Sequence, residues 1–165
     1  MKHLLRLLLL AGLIALGFWG WSVLFPNPKK IIQTQLVKLA ELASFSGKEG
    51  NIVRVANVQR MGTLFTDDAQ IIVTVPGIES VNLHRREELM QAAMAARSAL
   101  NGLQAEFPDM NITLSPDKQS AVVNVTLNAK IAGQRDSIVQ ELKFTLNHLN
   151  GTWLITRVET VETLK

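Results

Sequence analysis

The chain has 165 residues, with 17 basic and 14 acidic side chains for a net charge of +3, and it contains neither cysteine nor tyrosine. Its length accommodates one membrane or export segment plus one domain able to bury a core, while the absence of cysteine excludes disulfide staples, thiolate metal sites and a cysteine nucleophile. The positive surplus belongs to Lys2, Arg6, Lys29 and Lys30, which flank the first apolar segment; without those four, 13 basic residues face 14 acidic ones, a net of −1, so no basic face for a nucleic acid is expected.

From Leu7 to Phe25 the chain carries no charge. Nineteen residues at roughly 1.5 Å each give a helix of about 28 Å, close to the ~30 Å of a bilayer's hydrocarbon core. Trp19 and Trp21 stand toward its far end, where amphipathic rings favour the interface, and Pro26 and Pro28 stop the helix. The segment reads as a transmembrane signal-anchor over residues 7–25. It follows a cytoplasmic tail at 1–6 and precedes a linker at 26–30 and a domain at 31–165. The leading basic tail favours an N-terminus in the cytoplasm and a C-terminal domain outside it, as a single-pass protein of the cell (inner) membrane. The competing reading is a cleaved signal peptide with Ala15-Leu16-Gly17 as its small-x-small site, which would leave the domain secreted or periplasmic.

Beyond Pro28, Ile32, Leu36, Leu39 and Ala43 recur at helical spacing over Lys29 to Ser44. Gly47 and Gly50 break the pattern, and a second helix is expected from Asn51, as its cap, to Leu64, with a stripe of Ile52, Val55, Val58, Met61 and Phe65. Thr66-Asp67-Asp68-Ala69 reads as the turn that ends it, because such side chains bond their own backbone. Ile71, Ile72, Val73 and Val75 form a strand ended by Pro76-Gly77. A third helix follows from about Asn82, with Leu89, Ala92 or Ala93, Ala96 and Leu100 buried, until Gly102. The period then changes from 3.6 to 2. Strands are predicted at Leu103 to Leu114, Ser120 to Ala132, Ser137 to Leu149 and Thr152 to Glu162. The last two are joined by Asn150-Gly151, the pair that best tolerates the positive φ values of a type I′ turn. Short connections favour an antiparallel meander covered by the helices, an α+β domain.

The order of elements, with Leu64-Phe65-Thr66-Asp67-Asp68-Ala69 after the second helix, His84-Arg85-Arg86-Glu87-Glu88-Leu89 entering the third and Asn150-Gly151-Thr152-Trp153-Leu154-Ile155 near the end, resembles the nuclear transport factor 2-like superfamily, which includes the SnoaL-like cyclases and ketosteroid isomerase. The resemblance covers about Lys29 to Leu164. It implies a cystatin-like cone: three helices on a strongly curved, mainly antiparallel sheet around a cavity that holds substrate in the enzymes. By that analogy Val58, Met61, Phe65, Ile71, Val73, Phe144, Trp153 and Arg157 are the expected cavity lining, Arg157 because it shares strand parity with Trp153 and Ile155.

Enzymes of this fold place an acid or base inside the cone; ketosteroid isomerase uses an Asp base with a Tyr and a protonated Asp as oxyanion donors. This chain has no tyrosine, and its aspartates Asp67, Asp68, Asp109, Asp117 and Asp136 all read as turn residues, so no catalytic residue is assigned. Glu141, Arg157 and Arg97 are the polar candidates if the domain is enzymatic. For Arg157 the competing reading is a cross-strand ion pair on the solvated face. His84 and His148 are too few for a metal site, and phosphate-binding glycine loops and serine nucleophile motifs are absent, so neither metal nor cofactor is expected. Two functions remain in view. One is a membrane-anchored non-catalytic binding or assembly module, engaging a protein partner, an apolar ligand or a second copy of itself through the cone or the sheet face. The other is a SnoaL-like isomerase, dehydratase or hydrolase.

Overall fold

In the computed structural model, residues 27–74 and 80–161 are described. The expected anchor at residues 7–25, and Val75, Pro76, Gly77 and Glu162, lie outside them. No helix among the described residues is long and apolar enough to cross a membrane.

Helix α1 (Pro28–Ala43) starts where the sequence places a helix start: Asn27 accepts the Lys29 N–H at 3.0 Å and Pro28 occupies the first turn. Pro28, Lys29 and Lys30, assigned above to the linker, are therefore already helical. Ile32, Leu36, Leu39, Ala40 and Leu42 form its buried face, and Ser44 ends it, extended, with its hydroxyl donating to the Ala40 carbonyl at 2.8 Å. A two-residue strand β1 (Phe45–Ser46) follows.

Helix α2 (Asn51–Gly62) corrects the expected stripe. Val58 and Met61 are buried, but Ile52 is 87% exposed and Val53 and Val55 are also exposed. The inward line of its first turns is Arg54 and Asn57, because Asn57 donates to the Glu49 carboxylate at 2.9 Å and draws the polar face toward that acid. Gly50, not Asn51, is the N-cap.

The turn after α2 is Thr63-Leu64, and Thr66-Asp67-Asp68-Ala69 lies inside β2 (Phe65–Val73) instead of ending the helix. Strand β3 (Val81–Leu83) contains Asn82, and α3 (Arg86–Ala99) begins four residues later than expected. Arg85 is its N-cap, and Glu88 of the first turn reaches back to accept the N–H of His84, one residue before the cap, at 2.9 Å. Along α3, Leu89 and Ala93 pack against the core while Ala92 faces solvent.

The meander was legible almost to the residue: β4 (Gly102–Leu114), β5 (Ser120–Ile131), β6 (Ser137–Leu149) and β7 (Thr152–Thr160). Asn150 and Gly151 have φ of 50° and 80°, as a type I′ turn requires. The sheet runs β1-β4-β5-β6-β7-β2-β3, antiparallel except that β2 lies parallel to β7, so it is a mixed sheet. Three irregularities bend it: Phe107-Pro108 opposes Leu127, Thr156 is unpaired opposite the Thr145–Leu146 step, and Thr66–Ala69 loops out between Phe65 and Gln70. Each adds twist and bends its strand. The result is a strongly curved, cone-like half-barrel with the three helices against it.

Candidate functional site

The cone interior is packed. Phe65, Ile71, Phe144, Trp153, Met61 and Val58 are each buried, and all but Val58 belong to one continuous cluster with Ile32, Leu36, Val123, Leu146 and Ile155. Val73 is half-buried at the end of β2. Phe107 meets Phe144 edge-on at 5.7 Å, and His148 tilts over Trp153 at 5.0 Å.

Arg157 does not face the interior. Because Thr156 is the extra residue of the bulge, parity inverts after Ile155: Val158 points inward and Arg157 outward. Its guanidinium donates to Glu159 at 2.7 Å and to Gln70 Oε1 at 3.1 Å, while Lys143 reaches Glu159 from the neighbouring strand. The hydrogen bonds from Lys143 and then Arg157 hold the Glu159 carboxyl below the usual glutamate range. This is the solvated cross-strand ion pair.

Glu141 is exposed on the same outer face, in one cross-strand row with Thr126 and Asp109. These three, with Asn111, Asn124 and the apolar Met110, Val125, Leu142 and Val161, line a cavity of about 400 Å³. Asp109 was expected in a turn; the bulge at Phe107-Pro108 lets the strand continue through it. Two strand spacings separate Asp109 from Glu141, roughly 10 Å, too far to share a proton. The expected turn role does hold at Asp117, which accepts the Ser115 hydroxyl and the Gln119 N–H at 3.0 Å; the first bond and then the second hold its carboxyl below the usual aspartate range.

Arg97 is the buried charge among the described residues, at 4% exposure. It pairs with Glu49 at 2.6 Å, donates to the Leu42 carbonyl, and stands 4.8 Å over the Phe45 ring. It thus fastens α3 to the end of α1, to β1 and to the start of α2, away from Glu141 and Arg157. Glu49 carried no sequence signal, because it sits in a Gly-flanked stretch that reads as a solvated breaker. No group of metal-ligating side chains occurs among the described residues.

No protein-family model and no curated protein matches the chain. Solved structures do. A protein from Nostoc punctiforme, a domain of unknown function with a cystatin-like fold, matches at a TM-score of 0.63 and 14% identity over 86% of this chain and 80% of that one. An NTF2-like protein of unknown function from Pseudomonas putida matches at 0.61 and 8% identity over 81% and 85%. A candidate scytalone dehydratase from Novosphingobium aromaticivorans matches at 0.58 and 13% identity over 82% and 84%. These likenesses define the class: the domain has the NTF2-like, cystatin-like fold. At such identities they carry the architecture alone.

Proposed function

We propose that the chain is a non-catalytic binding or assembly module, held at a membrane by residues 7–25 with its domain outside the cytoplasm, and that it engages a protein partner through the outer sheet face. The observation that carries this reading is the packed interior: Phe144 and Trp153, which the resemblance makes cavity-lining, are buried in one continuous apolar cluster with Leu146 and Ile155. The outer face is open and mostly polar, with Gln70, Asn124, Lys143 and Arg157 beside the exposed aliphatics Val122 and Val139. That composition suits a wet, separable interface better than an obligate homodimer, whose interface is more apolar. The test is photo-crosslinking from Val139 and Thr145 in intact cells, combined with carbonate extraction of membranes. A discrete adduct on a carbonate-resistant chain supports the reading; no adduct from either position refutes it.

A second reading, a small-molecule dehydratase or isomerase, is favoured by the Asp109-Thr126-Glu141 row along its cavity and by the name of the Novosphingobium relative in structure. It requires turnover that falls when Glu141→Gln or Asp109→Asn is introduced.

A further inference from the structure

A groove of about 450 Å³ runs between the first half of α1, the Thr63-Leu64 turn and the start of β7. Its α1 wall presents Lys30, Thr34 and Lys38 on one side of the helix, four residues apart each time, so the two ammonium groups flank a hydroxyl along about 12 Å. Thr152 adds a hydroxyl from the opposite wall. Ile31, which is 39% exposed, and Trp153 form an apolar floor. No carboxylate lines the groove, and neither lysine makes an ion pair among the described residues. A cationic rim with hydroxyl donors over an apolar floor is complementary to an anionic amphiphile.

Its place in the chain names the source. The uncharged stretch Leu7 to Phe25 ends two residues before Asn27, the N-cap of α1, so Lys30 is five residues from that stretch. A groove tethered this closely to a bilayer meets lipid headgroups at high effective concentration. We propose that it docks the headgroup of an anionic phospholipid of the membrane that carries the chain, laying α1 along the bilayer surface and fixing which face of the sheet is turned outward. The inference rests on the anchoring proposed above, not on the choice between binding module and enzyme.

The test uses the full chain in nanodiscs of phosphatidylcholine alone or of equal parts phosphatidylcholine and phosphatidylglycerol, with lysine reactivity measured by reductive methylation. Two lysines at an anionic surface, at roughly fivefold each, raise the docked-to-undocked ratio about 25-fold. Methylation of Lys30 and Lys38 should therefore slow several-fold in the phosphatidylglycerol discs, while Lys48, Lys118 and Lys130 are unchanged. Thr152→Glu, which sets a carboxylate in the groove and leaves both lysines in place, should abolish the slowing. A charge change at Lys48→Glu should not. Equal reactivity in both lipids overturns the proposal, as does protection that survives Thr152→Glu, which would mark diffuse attraction to the surface. A chain that is not retained in either disc fails at the anchor, and the inference falls with it.

Discussion

Glu49→Gln is the substitution whose cost the structure specifies most closely. The Arg97 and Glu49 side chains are 2% and 9% exposed, and their 2.6 Å contact is the only neutralisation the guanidinium has among the described residues. Gln keeps the shape and still accepts a hydrogen bond, but leaves a positive charge buried beside the Leu42 carbonyl and the Phe45 ring. Breaking a buried pair from one side costs about 3–5 kcal/mol, because the remaining charge stays desolvated. Against a total stability of roughly 5–15 kcal/mol, that is about a fifth of the whole or more.

Arg97→Met should cost a similar amount, since Glu49 then keeps only the Asn57 amide. The double variant, Glu49→Gln with Arg97→Met, removes both charges and leaves chiefly the Leu42 carbonyl without its donor, a penalty of about 1–3 kcal/mol. The two changes therefore cost less together than either does alone. Urea unfolding of the full chain in detergent, followed by far-UV circular dichroism, measures all three. A loss below about 1 kcal/mol for Glu49→Gln, or a double variant that costs the sum of the singles, would refute the claim that this pair is desolvated and coupled.

Three further outcomes are expected. Thr66→Val removes a buried hydroxyl that has no hydrogen-bond partner, so it should raise stability by about 1 kcal/mol; a lower melting temperature would mean the hydroxyl is bonded after all. Gly47→Ala puts a Cβ 2.6 Å from the Asn101 carbonyl oxygen, a backbone atom that cannot swing aside, and should cost about 1–3 kcal/mol by the same unfolding assay. Glu159, with its pKa lowered in the fold by Lys143 and Arg157, contributes stability that is complete above the ordinary glutamate value of 4.5 and is lost as pH falls through its lower folded value. Replacing it with Gln should therefore reduce the difference in melting temperature between neutral pH and a pH below that folded value.

The meander was legible because alternation, Ser-Pro-Asp-Lys and Asn-Gly each state a local rule that the fold obeys. What the sequence concealed were places where one residue changes the parity of those that follow. Reading β7 as an unbroken strand puts Arg157 on the Trp153 face; the unpaired Thr156, whose hydroxyl donates to the Thr145 carbonyl at 3.2 Å, reverses it. Nothing in Thr-Arg-Val-Glu announces a bulge, since a threonine fits a regular strand equally well. In the same way Thr66-Asp67-Asp68-Ala69 has the composition of a turn and serves as a looped-out part of β2, where Asp67 pairs with Arg86 of α3 at 2.6 Å. Arg54 and Asn57 displaced Ile52 and Val55 from the inner face of α2, and the partner of Asn57, Glu49, lies outside the helix and beyond the reach of its periodicity.

The parity change at Thr156 also bears on what the domain can do. Without it, Arg157 would point into the cone, and with Phe144 and Trp153 around it would be a buried cation in search of an anion, the start of a binding pocket. With it, Val158 fills that space and the charge joins Lys143, Glu159 and Gln70 on the outer face. The same bulge that closes the interior thus adds to the surface through which a partner is proposed to bind. Removing Thr156 should reverse both effects: the chain would lose stability as Arg157 is driven inward, and crosslinking from Val139 and Thr145 would fall. Retention of full crosslinking in a destabilised deletion variant would show that the outer face does not depend on this register.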